Sequence, residues 1–397
     1  MSKNRLSEMP ACSICVLSLF FLAAGCGGGY GSAPPQPAIT FAPNPVAFPA
    51  TTQGASSTPI VVTVTNTGTG ALTISSIAAA GSNPGDFTNT NTCTAAVPAM
   101  GTCAISVTFI PTASGPRSET ISLTDNAPGS PQVINVSGTA NAISLSVTPP
   151  VSAIGNSQSL QLSATGDPNG VTWSVIASTS SGPGAQAPPG TIDATGLYTP
   201  PPGTPSLIVT VTATSKSDPS KSAFAAVNVV APGSFTSTNN VQVAQYSVFP
   251  AAPANISVQF GLDTSYGLST WSVPSTPLYV AGMKQSTHYH MRGVIQFADG
   301  SSFDDADFTF TTGALPVALV PAATVTTTPG LTPQSGVELL DTVIIADGLG
   351  KVPESVVTDL SGNVLWAYAP TLPNGPGPNP VKLLPNGHFL IGFSGQP

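Results

Sequence analysis

Charge is the scarcest property of this sequence. Asp, Glu, Lys and Arg make up only 7% of its 397 residues, and 9 Lys and Arg against 17 Asp and Glu leave a net charge of −8. Binding to phosphate backbones and to anionic lipid depends on clustered Lys and Arg. Neither nucleic acid nor an acidic membrane surface is therefore expected as a partner.

Helical patterning and hydrolase signatures are also lacking. Beyond the first thirty residues no window keeps an apolar period near 3.6, and no G-x-S-x-G phrase marks a hydrolase nucleophile. Strict alternation recurs instead, as in "IVVTVTN" (60–66) and "LIVTVTAT" (207–214), and 42 Pro and 39 Gly are spread along the chain. Short strands joined by turns give this pattern, so the predicted fold class is all-β, divided among several small domains.

One apolar run is present, at the N-terminus. Lys3 and Arg5 precede "ACSICVLSLFFLAA" (11–24), which is shorter than the ~20 residues of a spanning helix and is followed by small residues. Residues 1–26 resemble a bacterial lipoprotein signal with Cys26 as the lipidated residue, although Leu22 lies one place further from the cysteine than usual. Ordinary signal cleavage and an uncleaved anchor are the alternatives.

All three outcomes carry the body of the protein out of the cytoplasm. The expectation is an exported lipoprotein of the bacterial periplasm or cell surface, anchored to the cell envelope through its lipid. Cys12 and Cys15 fall inside the apolar run and are expected to leave with the signal. Residues 27–37 are expected to act as a flexible tether.

Cys93 and Cys103 are then the two cysteines of the exported part. They bracket a loop containing Pro and Gly, and in an oxidising compartment such a pair is expected to form a disulfide. Half of a metal site is the alternative, and no His lies nearby to support it.

Residues 38–140 contain the phrases "NTGTGALTI", "CAISVTFIPTASG" and "INVSGTA". Strands broken by regularly spaced turns predict an Ig-like sandwich. The phrases resemble the ASH/hydin-like modules that recur in bacterial surface proteins. That resemblance implies a spacer or a platform for an unknown surface ligand, without chemistry of its own.

Residues 141–231 restart the pattern and resemble the bacterial Ig-like group 2 family. The match consists of a central tryptophan and the phrase "GTIDATGLYTP", contributed by Trp173, Gly190, Ile192, Asp193, Gly196, Leu197 and Tyr198. Trp173 is interpreted as a core residue, with a ligand platform as the alternative.

Residues 232–313 resemble a fibronectin type III domain, through Thr287, Tyr289 and Arg292 in the stretch Met283–Asp299. The resemblance implies that Tyr289 faces the core. His288 and His290 would then share the opposite, solvated side, where two imidazoles can chelate a metal.

A neighbouring acidic group offers oxygen ligands for Ca²⁺, and its members are Asp299, Asp304, Asp305 and Asp307. A solvated hairpin is the simpler interpretation. No metal ligand and no cofactor site is therefore assigned in this module or elsewhere in the chain.

Residues 314–397 contain "VVTDLSGNVLWAY" and "VKLLPNGHFLI". These phrases resemble the opening of the bacterial aryl-sulfate sulfotransferase family, in which a propeller enzyme moves a sulfuryl group from an aryl sulfate to a phenol through a histidine nucleophile. The complete predicted fold is thus a tandem of Ig-like β-sandwich modules followed by the incomplete start of a β-propeller.

No catalytic residue can be carried over from that family. The segment holds one histidine, His388, which cannot be matched to the nucleophile, with Lys351 and Lys382 and no arginine. At ~40 to 50 residues per blade it supplies fewer than two blades. The expectation is the front part of a longer enzyme, inactive as it stands, and the alternative is a non-enzymatic surface stalk or adhesion protein.

Overall fold

The computed structural model describes residues 33–83, 85–180, 188–315, 325–326, 337–346, 350–368, 378–383 and 389–393. Every helix or strand in these ranges is a β-strand, which confirms the all-β prediction. The alternation of the sequence sets the burial: Val62, Val64 and Asn66 face the core, and the residues between them face outward. Within the same ranges no helix is long and apolar enough to cross a membrane.

The first module packs two sheets face to face. Its strands are β1 (Ile39–Ala42), β2 (Val46–Ala47), β3 (Thr51–Thr52), β4 (Ile60–Asn66), β5 (Ile74–Ala80), β6 (Phe87–Asn91), β7 (Thr102–Phe109), β8 (Gly115–Asp125) and β9 (Gln132–Asn141). The sheets run β1-β4-β7-β6 and β2-β9-β8-β5, with β3 beside β9. Between them, the rings of Phe87 and Phe109 stack at 4.8 Å, beside Phe48. Gly138 makes room for Phe109, since a Cβ there would lie 2.6 Å from the ring.

Asn66 explains the phrase "NTGTG" in this module. Its fully buried side chain donates from Nδ2 to the carbonyl oxygens of Gly70 (2.8 Å) and Val97 (3.0 Å), and its Oδ1 accepts from the N–H of Gly68 (3.0 Å). Gly68 itself lies so close to the preceding chain that a Cβ would stand 2.3 Å from the carbonyl oxygen of Gln36. The phrase is therefore a turn held by the hydrogen bonds of one buried asparagine.

The second module has its own core. Its strands are β10 (Ser146–Thr148), β11 (Val151–Gly155), β12 (Leu160–Gln161), β13 (Ser163–Thr165), β14 (Val171–Ser180), β15 (Thr191–Ile192), β16 (Leu197–Thr199), β17 (Leu207–Ser215) and β18 (Ser222–Val230). They form the sheets β11-β18-β17-β14 and β12-β16-β15 and the pair β10-β13.

The residues of the phrase "GTIDATGLYTP" have structural roles in this module. Asp193 Oδ1 accepts from the N–H groups of Thr195 (2.8 Å) and Leu197 (3.0 Å), which orders the turn. Tyr198 is fully buried and its hydroxyl donates to the carbonyl oxygen of Pro189 (2.8 Å). Burial raises the pKa of Tyr198 to about 12. Trp173 is half-buried and packs against the core, as a core residue rather than an exposed platform.

The third module is a sandwich of a three-stranded and a five-stranded sheet. Its strands are β19 (Ser234–Ser237), β20 (Ala244–Ser247), β21 (Ala254–Gly261), β22 (Leu268–Ser269), β23 (Leu278–Val280), β24 (His288–Phe297), β25 (Ser302–Asp304) and β26 (Phe308–Thr311). The sheets run β19-β20-β23 and β22-β21-β24-β25, with β26 also paired to β24. Tyr289 is buried, as expected, and its hydroxyl oxygen accepts from the N–H of Lys284 (2.9 Å).

The last described strands form two small antiparallel sheets. They are β27 (Val337–Ala346), β28 (Gly350–Asp359), β29 (Val364–Tyr368), β30 (Pro378–Leu383) and β31 (Phe389–Phe393), ordered β27-β28-β29 and β30-β31. The turn that was expected between β28 and β29 is present: Asp359 Oδ1 accepts from the N–H groups of Ser361 and Asn363. The start of a propeller stays a prediction.

Candidate functional site

The outer face of the five-stranded sheet in the third module collects charged and titratable side chains, which are scarce in this sequence. Strand β24 alternates, so His288, His290 and Arg292 lie on this face while Tyr289 and Met291 point into the core. We call the group the outer-face cluster, and its members are Gln259, Tyr266, His288, His290, Arg292, Asp304 and Asp307.

Arg292 stands at the centre of the outer-face cluster. Its Nε donates to Gln259 Oε1 (2.8 Å), and its Nη1 lies 3.1 Å from Asp304 Oδ2. The guanidinium carbon lies 4.8 Å from the centroid of the Tyr266 ring, within the range of a cation–π contact. These three contacts fix the position of the guanidinium, so it acts as a support for its neighbours.

Tyr266 links Arg292 to His290 through Asp307. Its hydroxyl donates to Asp307 Oδ1 (3.0 Å), and Asp307 Oδ2 lies 2.8 Å from His290 Nδ1. Burial and the bond to Asp307 raise the pKa of Tyr266 above its usual value. A chain of charge-assisted contacts therefore runs from Arg292 across the face to His290.

The four carboxylates that were considered for Ca²⁺ do not converge. Asp299 accepts from Ser301 and Asn228, Asp304 pairs with Arg292, and Asp307 contacts Tyr266 and His290. Among the described side chains, no three His, Cys, Asp or Glu residues are grouped around one point.

The expectation of a solvated acidic hairpin is wrong for Asp305. This carboxylate is buried, and its Oδ2 accepts from the N–H of Gly233 (2.7 Å) and the hydroxyl of Tyr246 (2.9 Å). Spacing along a hairpin cannot reveal such a position, because the donors come from segments more than fifty residues away. The carboxylate, in the loop after β25, therefore ties the start of β19 and strand β20 of the three-stranded sheet to the five-stranded sheet.

Polar contacts also close the junctions between modules. At the first junction, the side chain of Asn169 contacts one loop from each module. Asn169 Nδ2 donates to the carbonyl oxygen of Gly54 (3.1 Å) and to Ser217 Oγ (3.0 Å). A loop of the first module thus lies on two loops of the second.

The second junction is more deeply buried. Asn228, on the last strand of the second module, donates from Nδ2 to Asp299 Oδ2 (2.9 Å) and Ser301 Oγ (3.2 Å) of the third. Asn228 and Ser301 are both buried. Val230, at the end of the same strand, belongs to the core of the third module. The two cores are thus joined by one continuous strand and a buried polar contact.

The third junction joins the third module to the β28–β29 hairpin. Gln242 is fully buried, and its Nε2 donates to the carbonyl oxygens of Met283 (2.9 Å) and Val364 (2.8 Å). Lys284 Nζ lies 2.9 Å from Asp359 Oδ2. Burial alone would raise the pKa of Asp359, but the hydrogen bonds from Asn363 and Lys284 outweigh it and lower the pKa to about 2.

Of the remaining site residues predicted from the sequence, the structure describes the two cysteines of the first module. Cys93 and Cys103 are joined by a disulfide between the end of β6 and strand β7. Cys26 and His388 lie outside the described residues, and the side chain of Trp366 is not described either. The lipid anchor and the sulfotransferase resemblance therefore rest on the sequence.

Replacing both Cys93 and Cys103 with Ser is expected to lower the free energy of unfolding of the first module by about 2 to 3 kcal/mol. The disulfide closes a short loop and so lowers the conformational entropy of the unfolded chain. Amide hydrogen exchange of β6 and β7 in urea would measure the loss. Replacing Cys12, Cys15 and Cys26 with Ser is the control and should leave this exchange unchanged. Equal protection in both variants would contradict a stabilising disulfide.

Comparison with known families gives one match. Residues 37–133 match the family model described as ASH: Abnormal spindle-like microcephaly-assoc'd, ASPM-SPD-2-Hydin. This range agrees with the resemblance of the first module and covers less than half of the chain. A comparison with curated proteins finds no match.

Solved structures resemble parts of the chain at low identity. The ASH/PapD-like domain 7 of human CEP192 is 15% identical, with a TM-score of 0.22, over 31% of this chain and 99% of its own. A crystal structure of titin domains is 8% identical, with a TM-score of 0.22, over 70% of this chain and 99% of its own. A Porphyromonas gingivalis protein of unknown function is 13% identical, with a TM-score of 0.22, over 28% of this chain and 51% of its own, so the match spans about half of that protein. The chain is an all-β protein built of sandwich modules, and its first module is similar to the ASH family.

Proposed function

We propose that the three sandwich modules form a stalk that holds the segment after residue 313 at a fixed distance from the N-terminus. The observation that supports this most directly is the closure of the module junctions by buried polar side chains, Asn228 at the second and Gln242 at the third. A buried amide that loses its partner costs about 1 to 3 kcal/mol, so these junctions resist bending. Long flexible linkers, by contrast, let domains reorient freely.

The stalk can be tested by measuring a distance between its first and third modules. Thr88 and Ser302 lie exposed on the first and third modules and can each be replaced with Cys and spin-labelled, with Cys12, Cys15 and Cys26 replaced by Ser. Pulsed electron paramagnetic resonance should give one narrow distance distribution. Asn228→Ala should broaden it, because the second junction loses its buried bond. A broad distribution in the parent chain would rule out a stiff stalk.

We propose, as the finer function, that the stalk carries the beginning of an aryl-sulfate sulfotransferase-like domain on an exported, lipid-anchored protein. The support for this is the resemblance of "VVTDLSGNVLWAY" and "VKLLPNGHFLI", together with the signal-like N-terminus and Cys26. The aryl sulfate and the phenol would be substrates of a chain with a complete propeller. The 397 residues alone are expected to transfer no sulfuryl group.

An assay with an aryl sulfate and a phenol tests this division of roles. Sulfuryl transfer by the 397-residue chain would overturn it. Downstream DNA that encodes further blades with a histidine and arginines would support the sulfotransferase proposal. An adhesion stalk is the competing function, and the exposed surfaces of the modules would then bind the partner.

A further inference from the structure

The outer-face cluster presents two imidazoles side by side. The ring centroids of His288 and His290 lie 5.6 Å apart, with the ring planes nearly perpendicular at 88°. Each ring uses its Nδ1 within the module: His288 contacts Thr311 Oγ1 at 3.0 Å, and His290 contacts Asp307 Oδ2 at 2.8 Å. Across the described residues, no hydrogen bond engages the Nε2 atom of either ring. Both Nε2 atoms therefore remain available on the same side of the sheet.

We propose that His288 and His290 bind a divalent transition-metal ion through their two Nε2 atoms. Two imidazoles on one ion, with metal–nitrogen distances of about 2.1 Å, place their ring centroids roughly 5 Å apart. The observed separation is close to that, and His288 lies on the exposed surface of the module. Imidazole nitrogen suits Zn²⁺, Ni²⁺ and Cu²⁺ and not the oxygen-seeking Ca²⁺.

Asp307 positions one of the two ligands. A carboxylate that accepts the Nδ1–H of a histidine leaves Nε2 unprotonated and fixes the ring, as in the outer coordination shells of metal sites. Asp307 is itself held by the hydroxyl of Tyr266. The Thr311 hydroxyl can support His288 by accepting a hydrogen bond from its Nδ1–H. With two protein ligands, the remaining positions of the ion would be filled by water or by a donor from another molecule.

Titration of the full chain with Ni²⁺ by calorimetry tests the site. Free thiols are first alkylated so that cysteine cannot bind the metal. The expected result is one saturable site per chain. His288→Gln and His290→Gln should each weaken it by about tenfold or more, because a chelate becomes a single ligand. Asp307→Asn should weaken it by about tenfold through the orientation of His290.

The third histidine of the sequence provides the matched control. His388→Gln should leave the Ni²⁺ affinity unchanged, and amide exchange of β24 should stay the same in all the variants, which shows that the strand is intact. Absence of saturable Ni²⁺ binding in the parent chain would overturn the proposal. So would binding that survives in the His288→Gln/His290→Gln double variant, or an equal loss in His388→Gln.

Discussion

Replacing Arg117 with Met is expected to lower the free energy of unfolding of the first module by about 3 kcal/mol or more. Arg117 Nε pairs with Asp86 Oδ2, and only 1% of the Asp86 side chain is exposed. Asp86 Oδ1 also accepts from the N–H of Thr112 (3.0 Å) and from its hydroxyl (2.6 Å). Removing the arginine leaves a buried carboxylate without its counter-charge, and Met keeps much of the buried aliphatic volume.

The pH dependence of the free energy of unfolding shows whether the loss comes from the pairing of Asp86 with Arg117. Burial alone would raise the pKa of Asp86, but the hydrogen bonds from Arg117 and Thr112 outweigh it and hold the pKa below its ordinary value. The folded state therefore binds fewer protons than the unfolded one, so this stabilisation is present above about pH 4 and is lost as the pH falls further. In Arg117→Met the pKa of Asp86 should rise, and the acid-dependent part of the stability should shrink.

Hydrogen exchange of β8 amides in urea, at pH 7 and at pH 3, measures both effects within the first module. Arg292→Met, followed through exchange of β24 amides in the third module, is the matched control, because Arg292 pairs with the half-exposed Asp304 and its ion pair should contribute about 1 kcal/mol or less. Equal losses for the two arginines, or a loss for Arg117→Met that does not depend on pH, would contradict the role of the buried pair.

The sequence predicts the fold more completely than it predicts the polar contacts. Alternation in segments such as Ile60–Asn66 determines which side chains face the core, so an all-β chain of sandwiches follows directly. The resemblance to a fibronectin type III domain also placed Tyr289 correctly, and the alternating burial of β24 agrees with that position. These features depend on residues one or two positions apart.

The interactions that the sequence missed depend on residues that are distant in the chain. Asp305 meets Gly233 and Tyr246 only after the module has folded, and Gln242 reaches a carbonyl more than a hundred residues away. The pair His288 and His290 was visible in the sequence, but its support from Asp307 needed the pairing of β24 with β26 and the loop before β26.

Gln242→Glu is expected to release the β28–β29 hairpin from the third module, at a cost of about 3 kcal/mol or more at neutral pH. The substitution keeps the shape of the side chain and replaces the amide NH₂, which donates to the carbonyl oxygens of Met283 and Val364, with a charged acceptor. A fully buried carboxylate facing two carbonyl oxygens has no donor. The Oε1 of Gln242 already has no donor among the described atoms. A second acceptor oxygen in place of the NH₂ group would therefore find no donor there either.

Faster exchange of β29 amides and faster proteolysis after Gly313 would measure the release. The amides of β4 and β17, in the other modules, should keep their protection. Gln296→Glu is the control, because Gln296 is exposed on β24 and a charge there should change stability by no more than about 0.5 kcal/mol. Lys284→Met should have a small effect as well, since the lysine is 44% exposed and its ion pair with Asp359 is partly solvated. If Lys284→Met released the hairpin and Gln242→Glu did not, the junction would depend on surface charge, and the stalk would lose its stiffness at high salt.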